Sequence, residues 1–321
     1  MSFYDRERGR PGEPPLPKPY EFVPLATERP ALRAPAGHHR YGDGLLSGEM
    51  RATLIARSPI HVASGLLEPR RDRDNPLVKA LFRTNGHPVI PATSLKGCVR
   101  SIVEAISPSA VTLSKAYLPR EAEAARSVER LDVTQRLFGM LGYQGNVAFA
   151  DAPLLEGTVT IVRSVQLFRP RPESRGTYTN GERPKGRKFY MHGALAQGDV
   201  PLEVIAEGSS LSLLVRFTNV TPGELGLLLT GLGLGTSQFW PKLGGAKPAC
   251  LGTLEVTAPT LVCYVPSAEY TTFAIAPQPL ALAPLLEAAR AEGLILAPQL
   301  QRLADILRWP REDRRCPERS Y

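Results

Sequence analysis

Residues 91–100 read Pro91-Ala92-Thr93-Ser94-Leu95-Lys96-Gly97-Cys98-Val99-Arg100, and this stretch decides the fold. Apolar side chains recur at Leu95, Cys98, Val99, Ile102, Val103 and Ile106, the i, i+3, i+4, i+7 spacing of an amphipathic helix. Ser94 falls where an N-cap belongs, with Pro91 just upstream. Lys96, Gly97 and Arg100 are left on the opposite face, near a helix start whose free N–H groups favour an anion. Upstream lie Ile60-His61-Val62-Ala63-Ser64-Gly65 and a charged loop running from Glu68 through Arg70, Arg71, Asp72 and Arg73 to Asp74. A basic helix mouth built of small residues behind a charged loop predicts a site for a backbone phosphate.

Around this helix the periodicities give an order of elements. Met50 to Ala63 reads as a strand, or a strand pair bent at Pro59. Arg120 to Leu141 reads as helical. Gly145–Phe149 and Thr158–Val162 read as a short strand pair, and Pro201–Ala206 and Leu211–Val220 as two more strands. Thr221-Pro222-Gly223-Glu224 is a capping box with Pro at the first helical position, opening a leucine-rich helix to about Thr230. Leu251–Val256 returns as a strand. Without its insertions this is β-α-β-β-α-β, an α+β chain with a ferredoxin-like (RRM-like) core. Such a core leaves one sheet face free, as in RNA-recognition modules, but the aromatic residues those modules stack on bases are not evident here. Two helices follow, Pro279–Ala291 and Pro298–Trp309, and then an Arg-rich end expected to fray.

The chain divides into an extended proline-rich arm over residues 1–48, a core over 49–265 and a helical extension with a basic tail over 266–321. Eight of the 31 prolines fall in residues 1–35, where Tyr20, Phe22 and Val23 are the candidate anchors. A net charge of +8 and a pI near 9.5 favour a polyanionic partner. The four cysteines show no CxxC pair and read as reduced, mostly buried thiols of a cytoplasmic protein. No apolar run is long enough for a membrane helix, and the charged, proline-rich start is not that of a signal peptide.

A second basic element spans residues 163–188, with eight Lys or Arg, among them Arg169, Arg171, Arg187 and Lys188, against two Glu. Tyr178, Phe189 and Tyr190 lie among these charges, and Thr179-Asn180-Gly181 suits a hairpin tip. Charge for phosphates with rings for unstacked bases fits a single-strand RNA contact; a solvated loop is the plainer reading. A third element runs from Gly231 to Gly252 and contains Lys242, Gly244, Gly245 and Lys247. It is neither a P-loop nor a dinucleotide fingerprint, and it predicts no organic cofactor. A helix C-cap explains Gly231–Gly235, but not the two lysines. No nucleophile motif occurs, and the five histidines are scattered; His61, on an apolar strand, reads first as a satisfied core residue. RNA carries its own nucleophile in the 2′-OH, so a protein need only orient the phosphate and assist proton transfer or hold a metal. Glu68, Asp72 and Asp74 are the loop acids available for that.

These motifs together resemble the RAMP superfamily, and most closely the repeated backbone subunits of type III CRISPR effector complexes (the Csm and Cmr class). The resemblance rests on His61–Gly65, Asp74-Asn75-Pro76-Leu77-Val78, and Val89-Ile90-Pro91 through Gly97, where the family reads Ile-Pro-Gly-Ser-Ser-Leu-Lys-Gly. Leu137-Phe138-Gly139, Val147–Ala152, Arg187-Lys188-Phe189-Tyr190 and the glycine-rich 243–252 extend it over about residues 50–257. It implies a ferredoxin-like core with a β-hairpin thumb, here 163–192, stacked beside copies or homologues of itself on a CRISPR guide RNA and kinking the guide–target duplex. It also implies that an acidic loop residue cuts target RNA with a divalent cation, magnesium or manganese. The family's Asp-Ser-Pro-Val motif lands on Asp74, with Asn75 in place of Ser, making Asp74 the candidate catalytic and metal-binding residue. Candidate RNA-binding residues are His61, Ser94, Lys96, Gly97, Arg100, Arg169, Arg171, Arg187, Lys188, Tyr190, Lys242, Gly244, Gly245 and Lys247. The alternatives are an inert RNA-binding scaffold of the same complex, a guide-processing endoribonuclease and, more remotely, a ferredoxin-like metabolic enzyme.

Overall fold

The structure, a computed structural model, describes residues 16–71, 74, 76–111, 127–167, 175–265, 271 and 277–318. Its first strands are β1 (Tyr20–Val23), β2 (Leu46–Ala56), β3 (Ala63–Pro69), β4 (Leu77–Leu81), β5 (Arg83–Thr84) and β6 (His87–Ile90). Helices α1 (Ala92–Ile106) and α2 (Val133–Phe138) precede β7 (Val147–Phe149), β8 (Ala152–Glu156) and β9 (Val159–Ser164). A short turn of helix, α3 (Arg175–Tyr178), leads to β10 (Thr179–Asn180), β11 (Arg183–Pro184) and β12 (Arg187–Tyr190). Then come β13 (Val200–Ile205), β14 (Ser210–Val220), α4 (Pro222–Gly231), β15 (Leu254–Cys263), β16 (Gln278–Pro279), α5 (Leu282–Ala291) and α6 (Ala297–Ile306).

The large sheet has the order β16-β15-β2-β14-β8-β6-β5, with β7 also pairing β14. Its centre is antiparallel throughout: β15 pairs β2, β2 pairs β14, and β14 pairs β7 and β8. If β2, α1, β7/β8, β14, α4 and β15 are counted as β-α-β-β-α-β, the strand order is fourth, first, third, second. That is the ferredoxin-like arrangement expected from the sequence. The buried stripe of α1 (Leu95, Val99, Ile102, Val103, Ile106) joins the α4 leucines and the inner faces of β2 and β14 in one core. Thr221 and Glu224 form both halves of the capping box of α4. Helix α5 packs against α4, and the Leu285 carbonyl lies where a Cβ on Gly226 would stand.

Several local expectations are corrected. Helix α1 begins one turn early, with Pro91 rather than Ser94 at its N-cap, because the Pro91 carbonyl already accepts from Ser94 and Leu95 N–H at 3.0 and 3.2 Å. The helix expected over 120–141 is only α2 among the described residues, opened by an Asp132–Gln135 capping box; positions 112–126 lie outside them. The segments 145–149 and 158–162 do not pair with each other. Strand β7 joins β14, whereas β9 joins β13 in a second sheet of order β3-β4-β13-β9. The cysteines are not all reduced: Cys250 and Cys316 form a disulfide with Cα atoms 5.7 Å apart, while Cys98 and Cys263 are free. The tail beyond Arg311 is therefore tied down as far as it is described, with Cys316 N–H donating to the Ala194 carbonyl at 3.1 Å.

The arm lies along its own body. Strand β1 pairs antiparallel with β12, setting Tyr20 opposite Tyr190 and Phe22 opposite Lys188, and Tyr20 and Val23 are buried as the anchor reading requires. Further on, the Asn219 side-chain amide donates to the Gly37 and Arg40 carbonyls at 3.0 and 2.8 Å.

Candidate nucleic-acid interface

A cavity of about 500 Å³ opens between α1, the foot of β3, β12 and the glycine-rich segment. Of the residues singled out from sequence, Ser94, Gly97, Lys188, Tyr190, Lys242, Gly244, Gly245 and Lys247 line it. Position 97 presents no side chain, so the helix wall is flat there and nothing lies within 4 Å of where a Cβ would be. Gly244 is required for a different reason. Its φ is +92°, and a Cβ would sit 2.5 Å from the His61 carbonyl oxygen, which also accepts the Gly245 N–H at 2.7 Å. The glycine-rich segment is thereby laid directly on the irregular segment leading into β3.

Three lysines give the cavity its charge. Lys188 Nζ lies 4.7 Å from the Tyr20 ring centroid, 5.1 Å from Tyr178 and 4.8 Å from Tyr190, a cation–π cage that fixes a flexible side chain. Lys242 Nζ donates to the Met191 carbonyl at 2.9 Å and Lys247 Nζ to the Gly244 carbonyl at 2.8 Å. Burial pushes the pKa of both below the ordinary lysine value, that of Lys242 well below it, and neighbouring cations add to the effect. An anion entering the cavity would reverse that depression, since a nearby opposite charge favours the protonated amine. Cys98, also in the wall, is inert: burial raises its thiol to about 11.

Other candidates lie elsewhere. Lys96 and Arg100 do not line the cavity, and Arg100 donates to Glu104 at 2.9 Å and to the Gly139 carbonyl at 3.0 Å. Arg187 pairs with the same buried Glu104, and burial first, then Arg100, lowers its pKa to about 10. This Arg-Glu-Arg cluster fastens β12 to α1 and leaves little of either guanidinium to solvent. His61 is 4 % exposed, and its Nδ1 donates to the Glu203 carbonyl at 2.7 Å; burial lowers its pKa, so it stays neutral, the core role first read for it. Arg169 and Arg171 lie outside the described residues. Asp74 is exposed on the loop joining β3 to β4, in the second sheet and outside the cavity lining.

A divalent cation at Asp74 would need further donors gathered beside that carboxylate. Among the described residues no three His, Cys, Asp or Glu side chains gather as a metal would require. The described side chains do not by themselves make a metal centre.

Two contributions escaped the sequence reading. Asp151 accepts the Ala92 N–H at 2.8 Å, so one of the free donors at the mouth of α1 is satisfied by the protein's own carboxylate. Glu203, in an apolar strand, accepts from Arg70 at 2.5 Å, Arg83 at 2.8 Å and the Leu81 N–H at 3.0 Å. Burial alone would raise its pKa; these donors more than offset that and lower it. Its sequence signal was a charged residue amid Pro201-Leu202-Glu203-Val204-Ile205.

The fold and site define an α+β protein with a ferredoxin-like core and a lysine-lined cavity against its first helix. A sequence model of the RAMP superfamily matches residues 53–255, and the chain belongs to that family. The family is associated with type III CRISPR complexes, in which its members work with RNA and other subunits. No curated protein matches the chain. No helix among the described residues is long and apolar enough to cross a membrane.

Proposed function

We propose that this protein is a guide-RNA-binding backbone subunit of a type III CRISPR ribonucleoprotein, and that it cuts guide-matched target RNA at the Asp74 loop. The observation carrying the first half is the convergence of Lys188, Lys242 and Lys247 on one cavity beside exposed helix and glycine backbone. Three cations whose amines are partly stripped of water suit a chain of phosphates, and Tyr190 in the same wall offers a ring to a base. Strands β1 and β12 pair beside this cavity, and β3 leads from it into the second sheet.

The second half rests on the resemblance of Asp74-Asn75-Pro76-Leu77-Val78 to the family's cutting motif and on the exposure of Asp74. A carboxylate there would orient the scissile phosphate or take the 2′-OH proton, and magnesium or manganese is the proposed cation for cutting. The absence of a gathered acid set among the described residues favours a second reading, an inert scaffold. The assembled complex, loaded with guide and given labelled target with and without Mg²⁺ or Mn²⁺, separates the two. Asp74→Ala is expected to slow cutting by about 100-fold or more, the range of a lost acid–base group, with guide affinity unchanged. Cutting at the wild-type rate by that variant leaves the scaffold reading.

A further inference from the structure

We infer that Glu203 is a positioning residue that holds the Asp74 loop in register with the lysine cavity; the inference rests on the function proposed above. Strand β13 lies between β4 and β9 in the second sheet, and Glu203 is 4 % exposed in its middle. Sheet stability alone does not call for an acid there, because a packed apolar residue serves at least as well as a buried ion pair. What the acid does is reach two ways.

Its carboxylate takes Arg70 Nη2 at 2.5 Å and Arg83 Nη2 at 2.8 Å. Arg70 is the root of the loop, and its N–H donates to the Pro76 carbonyl at 2.9 Å, closing the base from which Asp74 projects. The backbone carbonyl of Glu203 accepts His61 Nδ1 at 2.7 Å, and the His61 carbonyl accepts Gly245 N–H at 2.7 Å in the cavity wall. Four residues thus join the wall that would hold the guide to the loop that would meet the target. The arrangement is a strut of fixed length, and its output is which phosphate reaches Asp74.

The assembled complex with guide and end-labelled complementary RNA tests it. Glu203→Gln keeps volume and the Leu81 acceptor but loses the charge that holds Arg70; Arg70→Ala removes the same link from a side chain that is partly exposed. Both are expected to bind guide within twofold of wild type, to cut at least tenfold more slowly, and to spread the cuts onto neighbouring phosphates. Arg70→Lys should restore part of the rate and narrow the spread. A merely stabilising role would not move the cut positions. Wild-type rate at unchanged positions, or a loss of guide binding parallel to the loss of cutting, overturns the strut. If Glu203→Gln is insoluble, Arg70→Ala decides alone. An Asp74→Ala complex that cuts normally overturns the cutting assignment itself, and the strut with it.

Discussion

Lys247 shows how a single residue can report on the cavity. Burial lowers its pKa below the ordinary 10.5; the Cys98 side opposes this, and the nearby Lys188 charge adds a smaller lowering. The unfolded chain therefore binds more protons than the folded one between the depressed value and 10.5, so the RNA-free protein gains stability as pH rises through that window. RNA binding has the opposite sign, because a phosphate contact needs the protonated amine and weakens as the amine discharges. Affinity for a single-stranded guide, measured at fixed salt from pH 7 toward 10, is expected to fall earlier than ordinary lysines predict. Lys247→Arg should flatten that fall, because a guanidinium stays charged. Lys247→Ala should make the dependence of log affinity on log salt shallower by about 0.7, the share of one single-strand phosphate contact. A pH profile identical in wild type and Lys247→Arg would remove Lys247 from the phosphate site.

At the scale of elements, the arm strand β1 and strand β12 form one unit. Strand β1 gives β12 its only strand partner among the described pairings, and Glu21 reaches Arg302 on α6 at 2.8 Å. The Tyr20 ring sits 5.8 Å from both Tyr178 and Tyr190, and its face holds Lys188. Tyr20→Ala is expected to cost about 3 kcal/mol, as for other large buried aromatics, read as a lower urea midpoint, and to weaken RNA binding severalfold because Lys188 loses its cage. Tyr20→Phe should restore both; loss of stability with RNA affinity intact would separate the arm from the site. The anchor at Tyr20 to Val23 was legible in the sequence as apolar residues inside a proline-rich stretch, but its partner strand was not. Local periodicity fixes which segments become elements, so α1, α4, β14 and the hairpin at Gly181 were readable from spacing and caps. It says nothing about which of two sheets a short strand joins, so β7 and β9 were misread as a pair. Nor does spacing reveal that Arg187 shares Glu104 with Arg100: the acid lies one helical turn from Arg100 but 83 residues from Arg187 in sequence. Opposite charges that meet only through tertiary packing look like free cations in a string of letters.

For the whole molecule, the question is what holds the C-terminal extension against the ferredoxin-like core. Leu307 lines the cavity, and Trp240 N–H donates to its carbonyl at 3.2 Å. Arg314 donates to the His192 carbonyl at 2.9 Å, and the Cys250–Cys316 bond closes the connection on the segment that carries Lys242 and Lys247. The sequence offered four cysteines without a motif, and composition favoured thiols. The pairing became visible only when the fold brought residues 66 apart in sequence into contact. A cross-link over that separation stabilises by about 4 kcal/mol in the chain-entropy account. Alkylation of the unreduced, denatured protein should then label Cys98 and Cys263 and spare the other two. Adding a phosphine reductant should lower the unfolding midpoint in urea, and Cys316→Ser should lower it equally and make it insensitive to reductant. The glycine-rich segment would keep its hydrogen bonds to His61 in the reduced protein, so guide affinity should fall less than stability does. Four labelled cysteines before reduction, or a midpoint that reductant leaves in place, would show that packing alone holds the tail.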